Sequence, residues 1–374
     1  MKLIKTYLIA IPLLLFNNYC TNNDEIILQF DNKLNHLNQK HIPDKSLAVS
    51  DISFSQNNKS RIITGKTTSK ALYHELLAFS DSLSYKFDVL LLPNTALGDS
   101  THGIVNISTV PIRESPSHTS QMIDQAILGN SLKILHELDD WYLIQTHYDY
   151  AGWITKSSVY RCDLNKIIKW NLQAKYQVNK IHSVIYSDSN KSSDVISYLV
   201  MNNRLKRDIS FPEWAKVILP DDRFGFMQKT DLKDMEVKIP NTKFRKNIFK
   251  IAMSMKGIPY LWGGNSSKGN DCSGFTQTVY NASGFLIPRD ARQQAELGII
   301  IDPKDAKIGD LFFFGDGERV THVAISIGGL DFIHQGSKYE GKVDIHSLDS
   351  NSDIYSEYRR ETFMFAKHID PTKL

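Results

Sequence analysis

Cys272 is the side chain of this sequence whose setting best suits covalent chemistry. It lies in Asn270-Asp271-Cys272-Ser273-Gly274, shortly after a turn-rich run that ends in Gly263-Gly264, and His322 and His334 follow on later apolar segments. A cysteine fed by a loop into a helix, with histidines on later strands, is how a thiol nucleophile and its base are built. The sequence therefore predicts Cys272 as a nucleophile.

The attacking form of a cysteine is the thiolate, so this site must stabilise a negative sulfur. Asp271 is placed to cap the helix that Cys272 opens, and the N–H groups at that positive helix end favour an anion. A neighbouring imidazolium adds the larger effect. We therefore expect an ion pair between the thiolate and an imidazolium.

The two histidines flank a turn signal at Gly328-Gly329. If the hairpin is centred on Gly328, His322 pairs with His334, and paired α-carbons lie roughly 4.5–5.5 Å apart. His322 is then the general base and later the acid on the leaving amine, and His334 holds the His322 ring in its productive tautomer.

Two further features border the predicted nucleophile. Tyr260 and the backbone N–H of Cys272 are candidates for the hole that stabilises an oxyanion, although Tyr260 could instead pack against Trp262. Gly263-Gly264 either lets the loop pass close to a substrate or turns the chain.

These residues need a domain that positions them, and we place it at 241–374. Helical spacing of Phe244, Ile248 and Ile251 predicts a first helix, and Cys272 opens a second one that buries Phe275, Val279 and Tyr280. Four apolar segments are predicted as strands: 299–302, 310–314, 322–327 and 331–334.

Two earlier segments, 96–165 and 166–240, have the composition of a repeat. Short alternating strands separated by Gly, Pro, Asn and Asp turns predict two small β-barrels. Pro240 and its polar neighbours mark the boundary to the last domain. Residues 21–95 form a helical or mixed segment in which Leu72, Leu76, Phe79 and Leu83 predict a helix face, and a lid or packing role is the default.

Residues 1–20 have the charged start and short apolar run of an export signal. Cys20 raises lipid attachment as an alternative end to that signal, with the exported protein held at a membrane by an acylated cysteine. Cys162 is expected to be an inert thiol, because an exported chain with so few cysteines has no disulfide framework.

Composition limits the classes of function. The chain has 374 residues and a net charge of +3, from 44 basic and 41 acidic side chains, which argues against a nucleic-acid partner. We also expect a monomer without cofactor or metal, since no ligand cluster with metal-site spacing is visible.

From about residue 88 onward the chain resembles the NlpC/P60 cysteine peptidases that carry two bacterial SH3 modules, on the Asp-Cys-Ser-Gly loop, the two histidines and the two β-modules quoted above. The resemblance implies a papain-like α+β peptidase domain after two SH3-like barrels. It also implies a γ-D-glutamyl-L-diamino acid endopeptidase, periplasmic or membrane-anchored, that acts on muropeptides with a free N-terminal L-Ala.

The resemblance further implies substrate-binding residues. Asp271 and Tyr150 match the positions that fix the free amine, while Ser273 and Arg289 match those that hold the peptide and the D-Glu carboxylate. Arg289 could instead form a structural salt bridge, and Tyr150 could pack within its module. Gln121 stands where this subgroup has a glutamate, and Ala291 where many members have a serine.

Three other functions stay open. One is a D,L-endopeptidase that remodels polymeric peptidoglycan, which Gln121 favours by removing a charge that would select free amines. Another is an inactive SH3 wall-binding protein, against which the intact Cys272, His322 and His334 argue. An acyltransferase that uses the same thiol is the third.

Overall fold

A computed structural model describes residues 17–56, 60–236 and 241–374; the side chains of 17–24, 209–210 and 241–242 lie outside that description. The chain forms two compact units, 1–95 and 96–374. Residues 1–16 of the expected export signal, the Cys20 side chain and Pro240 of the expected linker fall outside the described part. The predicted domain boundaries remain predictions.

The described residues of the first unit form a three-stranded sheet and two helices. Its elements are α1 (Asn17–His41), β1 (Ser50–Gln56), β2 (Arg61–Thr67), α2 (Lys70–Ser82) and β3 (Lys86–Leu91). β2 is antiparallel to β1 and parallel to β3, and α2 makes the crossover between β2 and β3. In the part of the chain that is described, no helix is both long enough and apolar enough to span a membrane.

The helix predicted from Leu72 to Leu83 is present as α2. Its N-cap is Ser69, whose hydroxyl accepts a hydrogen bond from the Leu72 backbone N–H. Leu72 and Leu76 are fully buried, whereas Leu83 lies beyond the last helical residue and is 46% exposed. Placing Leu83 on the apolar face was therefore wrong.

The second unit begins with a seven-stranded antiparallel module. Its strands are β4 (His102–Val105), β5 (Thr109–Arg113), β6 (Met122–Ile127), β7 (Ser131–Leu138), β8 (Trp141–Thr146), β9 (Ala151–Thr155) and β10 (Val159–Cys162). The sheet order is β10-β4-β7-β8-β9-β5-β6. Helix α3 (Leu164–Gln173) follows and buries Trp170, whose indole donates to the Gly129 carbonyl.

A second module repeats this order strand for strand. Its strands are β11 (Tyr176–Val178), β12 (His182–Tyr186), β13 (Val195–Val200), β14 (Arg204–Ser210), β15 (Trp214–Ile218), β16 (Phe224–Gln228) and β17 (Leu232–Asp234). They run β17-β11-β14-β15-β16-β12-β13 across the sheet. The predicted repeat is confirmed, although each sheet order has two ends, so the modules are SH3-like sheets and not closed barrels.

Gly152 and Gly225 show how closely the two modules correspond. A Cβ atom on Gly152 would lie 2.5 Å from Ile112, and one on Gly225 would lie 2.5 Å from Ile185. Both glycines begin the same strand of their module and cross the same neighbour, so the close approach requires glycine at both places.

The remaining elements form an α+β domain. Its helices are α4 (Asn241–Ser254), α5 (Cys272–Ala282), α6 (Ala291–Gln294) and α7 (Glu357–Thr362). Its strands are β18 (Asn265–Ser266), β19 (Gly269–Asn270), β20 (Ile299–Ile301), β21 (Leu311–Gly315), β22 (Val320–Gly328), β23 (Asp331–Gln335), β24 (Val343–Ser347) and β25 (Phe363–His368). The main sheet runs β20-β25-β21-β22-β23-β24.

Helices α4 and α5 share one core with this sheet. Phe244 and Ile248 of α4, and Phe275, Val279 and Tyr280 of α5, are fully buried in it. The predicted helix carrying Cys272 and the four predicted strands are confirmed, and β24 and β25 were missed. This packing fixes the start of α5 against the strands that carry the histidines.

Candidate active site

Asp271 determines how Cys272 is presented. It is the N-cap of α5, and its Oδ1 accepts a hydrogen bond of 2.7 Å from the Gly274 N–H. Its Oδ2 accepts a second bond from the Gly263 N–H at 3.1 Å. The aspartate therefore ties the helix start to the preceding loop and holds Cys272 as the first residue of the helix.

Cys272 and His322 line one pocket of about 460 Å³. The backbone of Val323, the residue after His322, hydrogen-bonds to the Cys272 sulfur. The sulfur is thus fixed against the strand that carries the histidine. Cys272 and Cys162 are both free thiols, and Cys162 is buried.

The pKa shifts differ from the expected ion pair. Burial, reinforced by the Asp271 carboxylate, raises the pKa of Cys272 to about 11. Burial and the Arg359 charge hold the pKa of His322 well below its usual range. Both shifts favour the neutral thiol and the neutral imidazole over the expected ion pair, because desolvation outweighs the helix end.

His322 and His334 are in direct contact, with the His322 Nε2 2.9 Å from the His334 Nδ1. The predicted register that brings them together was wrong by two residues. Ile325 pairs with Ile333, so His334 lies level with Ala324 and diagonal to His322. The contact survives because a two-residue shift leaves a side chain on the same face of the sheet.

A third histidine, which the sequence reasoning missed, extends this pair. The His334 Nε2 lies 3.0 Å from the Nδ1 of His346 on β24. His334 is level with Asp344, so His346 is again offset by two residues. The signal was available in the sequence, since His322, His334 and His346 follow one another at equal 12-residue intervals.

Glu340 closes this group from the loop between β23 and β24. Its Oε1 lies 3.9 Å from the His334 Nε2 and 4.0 Å from the His346 Nε2. His334, Glu340 and His346 each offer one ligand atom within 4.8 Å of the others, a geometry that a divalent cation could use. The sequence reasoning did not single out Glu340.

The first SH3-like module supplies part of the pocket wall. Gln121, Ile123 and Tyr150 line the same pocket as Cys272. Burial, followed by the charge of Asp290, raises the pKa of Tyr150, and its phenol hydrogen-bonds to Asp290 and so remains a neutral donor. The module is thus part of the site, and Ala291, which also lines the pocket, adds no hydroxyl to it.

Arg289 lines this pocket but is only 2% exposed. Its Nε donates to Asp124 at 2.6 Å, and its two terminal nitrogens form a bidentate pair with Asp271 at 3.0 and 2.7 Å. The remaining N–H groups reach the Ser273 hydroxyl and the Gly264 carbonyl. All five N–H donors have acceptors, which favours the structural salt bridge over direct capture of a substrate carboxylate.

Asp124 is a residue of this site that no sequence pattern revealed. It lies on β6 of the first module, is fully buried and accepts hydrogen bonds from the Arg289 guanidinium and the Tyr148 phenol. The side chain of Asn265 also donates to it at 3.2 Å. Asp124 therefore joins the first module to the loop and helix that carry the nucleophile.

Gly263 allows the loop before α5 to pack closely against the first module. Its φ of +69° lies in the left-handed region, and a Cβ there would come within 2.5 Å of the Met122 carbonyl oxygen. Only glycine fits both constraints. The sequence left open whether Gly263-Gly264 passes close to a substrate or turns the chain. The structure supports the turn, which also allows the first module to pack closely against this loop.

Tyr260 and Ser273 complete the predicted set. Burial, followed by the charges of Cys272 and Asp271, raises the pKa of Tyr260, so its phenol is a neutral donor near the sulfur. Within the described residues, Tyr260 forms no ring contact with Trp262. The Ser273 hydroxyl donates to Asp271 at 3.3 Å and accepts from Arg289.

Comparison with known proteins identifies the domain that holds these residues. A model of the NlpC/P60 family matches residues 257–361. The γ-D-glutamyl-L-lysine dipeptidyl-peptidase of Bacillus cereus is 30% identical over 252 residues, which cover 63% of this chain and 73% of that protein. The chain belongs to the NlpC/P60 family. It is a cysteine peptidase, as its sequence predicted.

Other likenesses agree with the NlpC/P60 assignment. A bacterial SH3 domain model matches residues 108–160. The γ-D-glutamyl-L-lysine dipeptidyl-peptidase of Bacillus subtilis is 28% identical, over 62% of this chain and 77% of its own. A crystal structure of an NlpC/P60 family protein from Bacillus cereus has a TM-score of 0.61, covers 72% of this chain and all of its own, and is 21% identical. That structure supports the multidomain fold.

Proposed function

We propose that this peptidase hydrolyses the γ-D-glutamyl-L-diamino acid bond of muropeptides that have a free N-terminal L-Ala. The names of its Bacillus relatives support the bond. The position of the first SH3-like module supports the free amine, since Tyr150 of that module lines the pocket that Cys272 enters. This shared wall is the observation on which the proposal rests.

The charges at the Tyr150 end of the pocket favour a substrate ammonium. Asp124 and Asp271 both pair with Arg289, and Asp290 pairs with Arg292 at 3.0 Å. Three carboxylates therefore face two guanidinium groups, which leaves one negative charge in excess. A cation is stabilised by such an excess, and a partly buried site strengthens the effect.

The proposed reaction begins when His322 takes the proton of Cys272 and the sulfur bonds to the γ-carbonyl carbon of D-Glu. The ring nitrogen that accepts the proton is Nδ1, because Nε2 is bonded to His334. The α5 N–H groups and the Tyr260 phenol stabilise the oxyanion. The C–N bond then breaks as His322 returns the proton to the leaving amine, and water hydrolyses the thioester to restore the thiol.

A pair of peptides tests this proposal. The full chain should cleave L-Ala-γ-D-Glu-L-Lys and leave its N-acetylated form intact, with the two products measured by mass spectrometry. Cleavage of neither peptide, or of another bond in the first, would contradict it. Cys272→Ala should lose at least about three orders of magnitude in kcat while keeping its circular dichroism spectrum.

Hydrolysis of polymeric peptidoglycan is the second candidate, and Gln121 is the observation that favours it. This exposed side chain lines the pocket where a glutamate would add a charge for the amine. Equal cleavage of the free and the N-acetylated peptide, together with release of peptides from purified sacculi, would replace the first proposal by this one.

Export of the protein follows from the proposed substrate, which belongs to the cell wall. We propose that residues 1–20 act as the export signal and that lipid attachment at Cys20 is one form of the mature protein. Mass spectrometry of the mature N-terminus checks both, since cleavage within this segment and an added acyl mass have different signatures. A mature chain that still begins at Met1 would contradict both.

A further inference from the structure

The His322–His334 pair continues beyond the two residues that the reaction uses. Two nearly equal contacts, 2.9 Å from His322 to His334 and 3.0 Å from His334 to His346, join three imidazoles on three adjacent strands. Both ring nitrogens of His334 are occupied, one by each neighbour. The orientation of His334 therefore depends on His346 as much as on His322.

Proton positions in such a series are linked. A neutral imidazole carries one N–H and one bare nitrogen, and each of the two nitrogen–nitrogen contacts needs one donor and one acceptor. If His346 carries its hydrogen on Nε2, its Nδ1 accepts from the His334 Nε2–H. The His334 Nδ1 then accepts from the His322 Nε2–H, and the His322 Nδ1 is left bare to receive the thiol proton.

Glu340 selects this direction over the reverse one. A carboxylate only accepts, and the Glu340 Oε1 lies 4.0 Å from the His346 Nε2 and 3.9 Å from the His334 Nε2, so it favours hydrogens on both Nε2 atoms. The reverse series would put the hydrogen of His322 on Nδ1, where it could not act as a base. Gly336 leaves room for the carboxylate, since a Cβ there would meet Glu340 at 2.1 Å.

Other charges around His346 do not favour the reverse direction. Asp344, on the same strand, raises its pKa as Glu340 does, while Arg359 of α7 and Lys256 lower it. The Asp344 carboxylate is itself paired with Lys256 at 3.3 Å and with Lys342 at 3.3 Å. Glu340 is thus the acidic group that acts on the Nε2 atoms of both His334 and His346.

We propose that His346 and Glu340 are positioning residues that set the tautomer of His322 through His334. The inference rests on the proposed function for its kinetic test, because it assigns these residues to the same thiol chemistry. During attack, the proton gained at the His322 Nδ1 makes the ring cationic, and the polarised series ending at Glu340 stabilises that charge. The relayed N–H bonds remain in place, and only the thiol proton moves.

The tautomers can be observed without activity. The full chain labelled with ¹⁵N-histidine should show, in long-range ¹H–¹⁵N spectra, hydrogens on Nε2 of His322, His334 and His346. A hydrogen on the His322 Nδ1 overturns the proposal. This readout separates the inference from the proposed function, since the tautomers can be as stated even if L-Ala-γ-D-Glu-L-Lys is not cleaved.

Kinetics supply the second test. His346→Leu, which removes the acceptor, should lower kcat about 10-fold with KM nearly unchanged, the usual size of effect for a residue that orients a reactive one. His346→Asn places an amide oxygen near the former Nδ1 and should keep more than half of kcat. Equal losses in the two variants, or no loss in either, overturn the proposal; His182→Leu, on the second module, is the matched control.

Glu340→Gln tests the electrostatic part. Without the carboxylate the Nε2 atoms of His334 and His346 lose the acceptor that favours hydrogens there, so the long-range ¹H–¹⁵N spectra of Glu340→Gln should show part of the His322 hydrogen on Nδ1. A spectrum identical to that of the wild type contradicts the role of Glu340. A zinc or other divalent ion bound at one per chain, with activity that EDTA alters, would show that the cluster is a metal site and overturn the hydrogen-bonded series.

Discussion

The two SH3-like modules have the same strand order but differ in what they offer the catalytic domain. Asp124 pairs with Ile112 in the first module, and Ser197 pairs with Ile185 at the same register position of the second. Asp124 binds Arg289 at the active-site pocket, whereas the Ser197 hydroxyl donates to the neighbouring Tyr198 carbonyl. At this one position, therefore, the first module carries a residue that bonds to the active-site region and the second module does not.

Neighbouring positions differ in the same way. Tyr150 precedes β9 and lines the active-site pocket, and its counterpart Arg223 precedes β16 and pairs with Asp221 on the surface. The second module instead packs against the far end of α5, where the Asn202 side chain donates to the Thr278 carbonyl at 2.9 Å. The second module thus contacts the far end of the nucleophile helix, whereas the described module residues that line the active-site pocket belong to the first module.

The largest expected effect comes from removing the buried charge of the first module. Asp124→Asn leaves Arg289 with one carboxylate in place of two, and breaking a buried ion pair costs about 3–5 kcal/mol. The free energy of unfolding of residues 96–374 should fall by that amount in urea, followed by tryptophan fluorescence, since all five tryptophans lie there. Ser197→Ala should stay within about 0.5 kcal/mol of wild type; equal losses would erase the distinction.

Tyr150→Phe should affect catalysis more than folding. The variant loses the phenol that bonds Asp290 at the amine end of the pocket, and a hydrogen bond to a charged group is worth about 1.5 kcal/mol, or roughly 10-fold in kcat/KM. Steady-state kinetics with L-Ala-γ-D-Glu-L-Lys measure it. Arg223→Ala at the matching position should leave kcat/KM unchanged, and a comparable loss there would contradict the comparison.

Gln121→Glu should sharpen the selectivity that the first module provides. An added carboxylate on the pocket wall attracts the substrate ammonium, and at a partly solvated distance this contributes about 1 kcal/mol, or roughly 5-fold in the ratio of kcat/KM for free over N-acetylated peptide. The counterpart Asp194 is already acidic, so Asp194→Gln should leave that ratio as it is. A fall in the ratio for Gln121→Glu would place the amine elsewhere.

The smallest effect on catalysis is expected in the second module. Burial lowers the pKa of Lys233 to about 8, and its ammonium donates to the Ala282 carbonyl at the end of α5. Between pH 8 and the ordinary value of 10.5 the unfolded chain binds more protons, so the stability cost is full below pH 8 and fades as pH rises.

Lys233→Met should therefore raise the free energy of unfolding at pH 7 by up to about 3 kcal/mol, because a pKa lowered from 10.5 to about 8 corresponds to that amount, and the gain should vanish near pH 10.5. Urea titrations at several pH values measure this, and kcat/KM should remain at the wild-type level. A gain that grows with pH would have the wrong sign for a buried ammonium.

Local patterns in the sequence were sufficient for much of this architecture. The helical spacing of Phe275 and Val279 placed α5, and the turn at Gly328-Gly329 brought His322 and His334 to one face. The register was wrong because the turn has its centre one residue later than assumed, which shifts the pairing by two. A register shift by an even number of residues leaves each side chain on the same face of the sheet. The His322–His334 contact could therefore be predicted although the predicted register was wrong.

Other features depend on burial, which a local pattern does not encode. The Cys272 pKa follows from desolvation at the bottom of a pocket, and the helix end that suggested a thiolate is the weaker effect. Asp124 lies in a strand with no motif around it, and its partner is 165 residues away. His346 was different, since its 12-residue interval was visible and only its significance was missed.

The salt bridge from Asp124 to Arg289 makes the predicted domain boundary near residue 240 a poor place to divide the chain. A peptidase domain that is transferred without the first module would keep the buried Arg289 guanidinium but lose its Asp124 partner. It would also keep the Gly263 turn without the module that packs against it. A chimaeric protein that keeps this salt bridge must therefore exchange the first module and the catalytic domain together, although the second module lies between them in the chain.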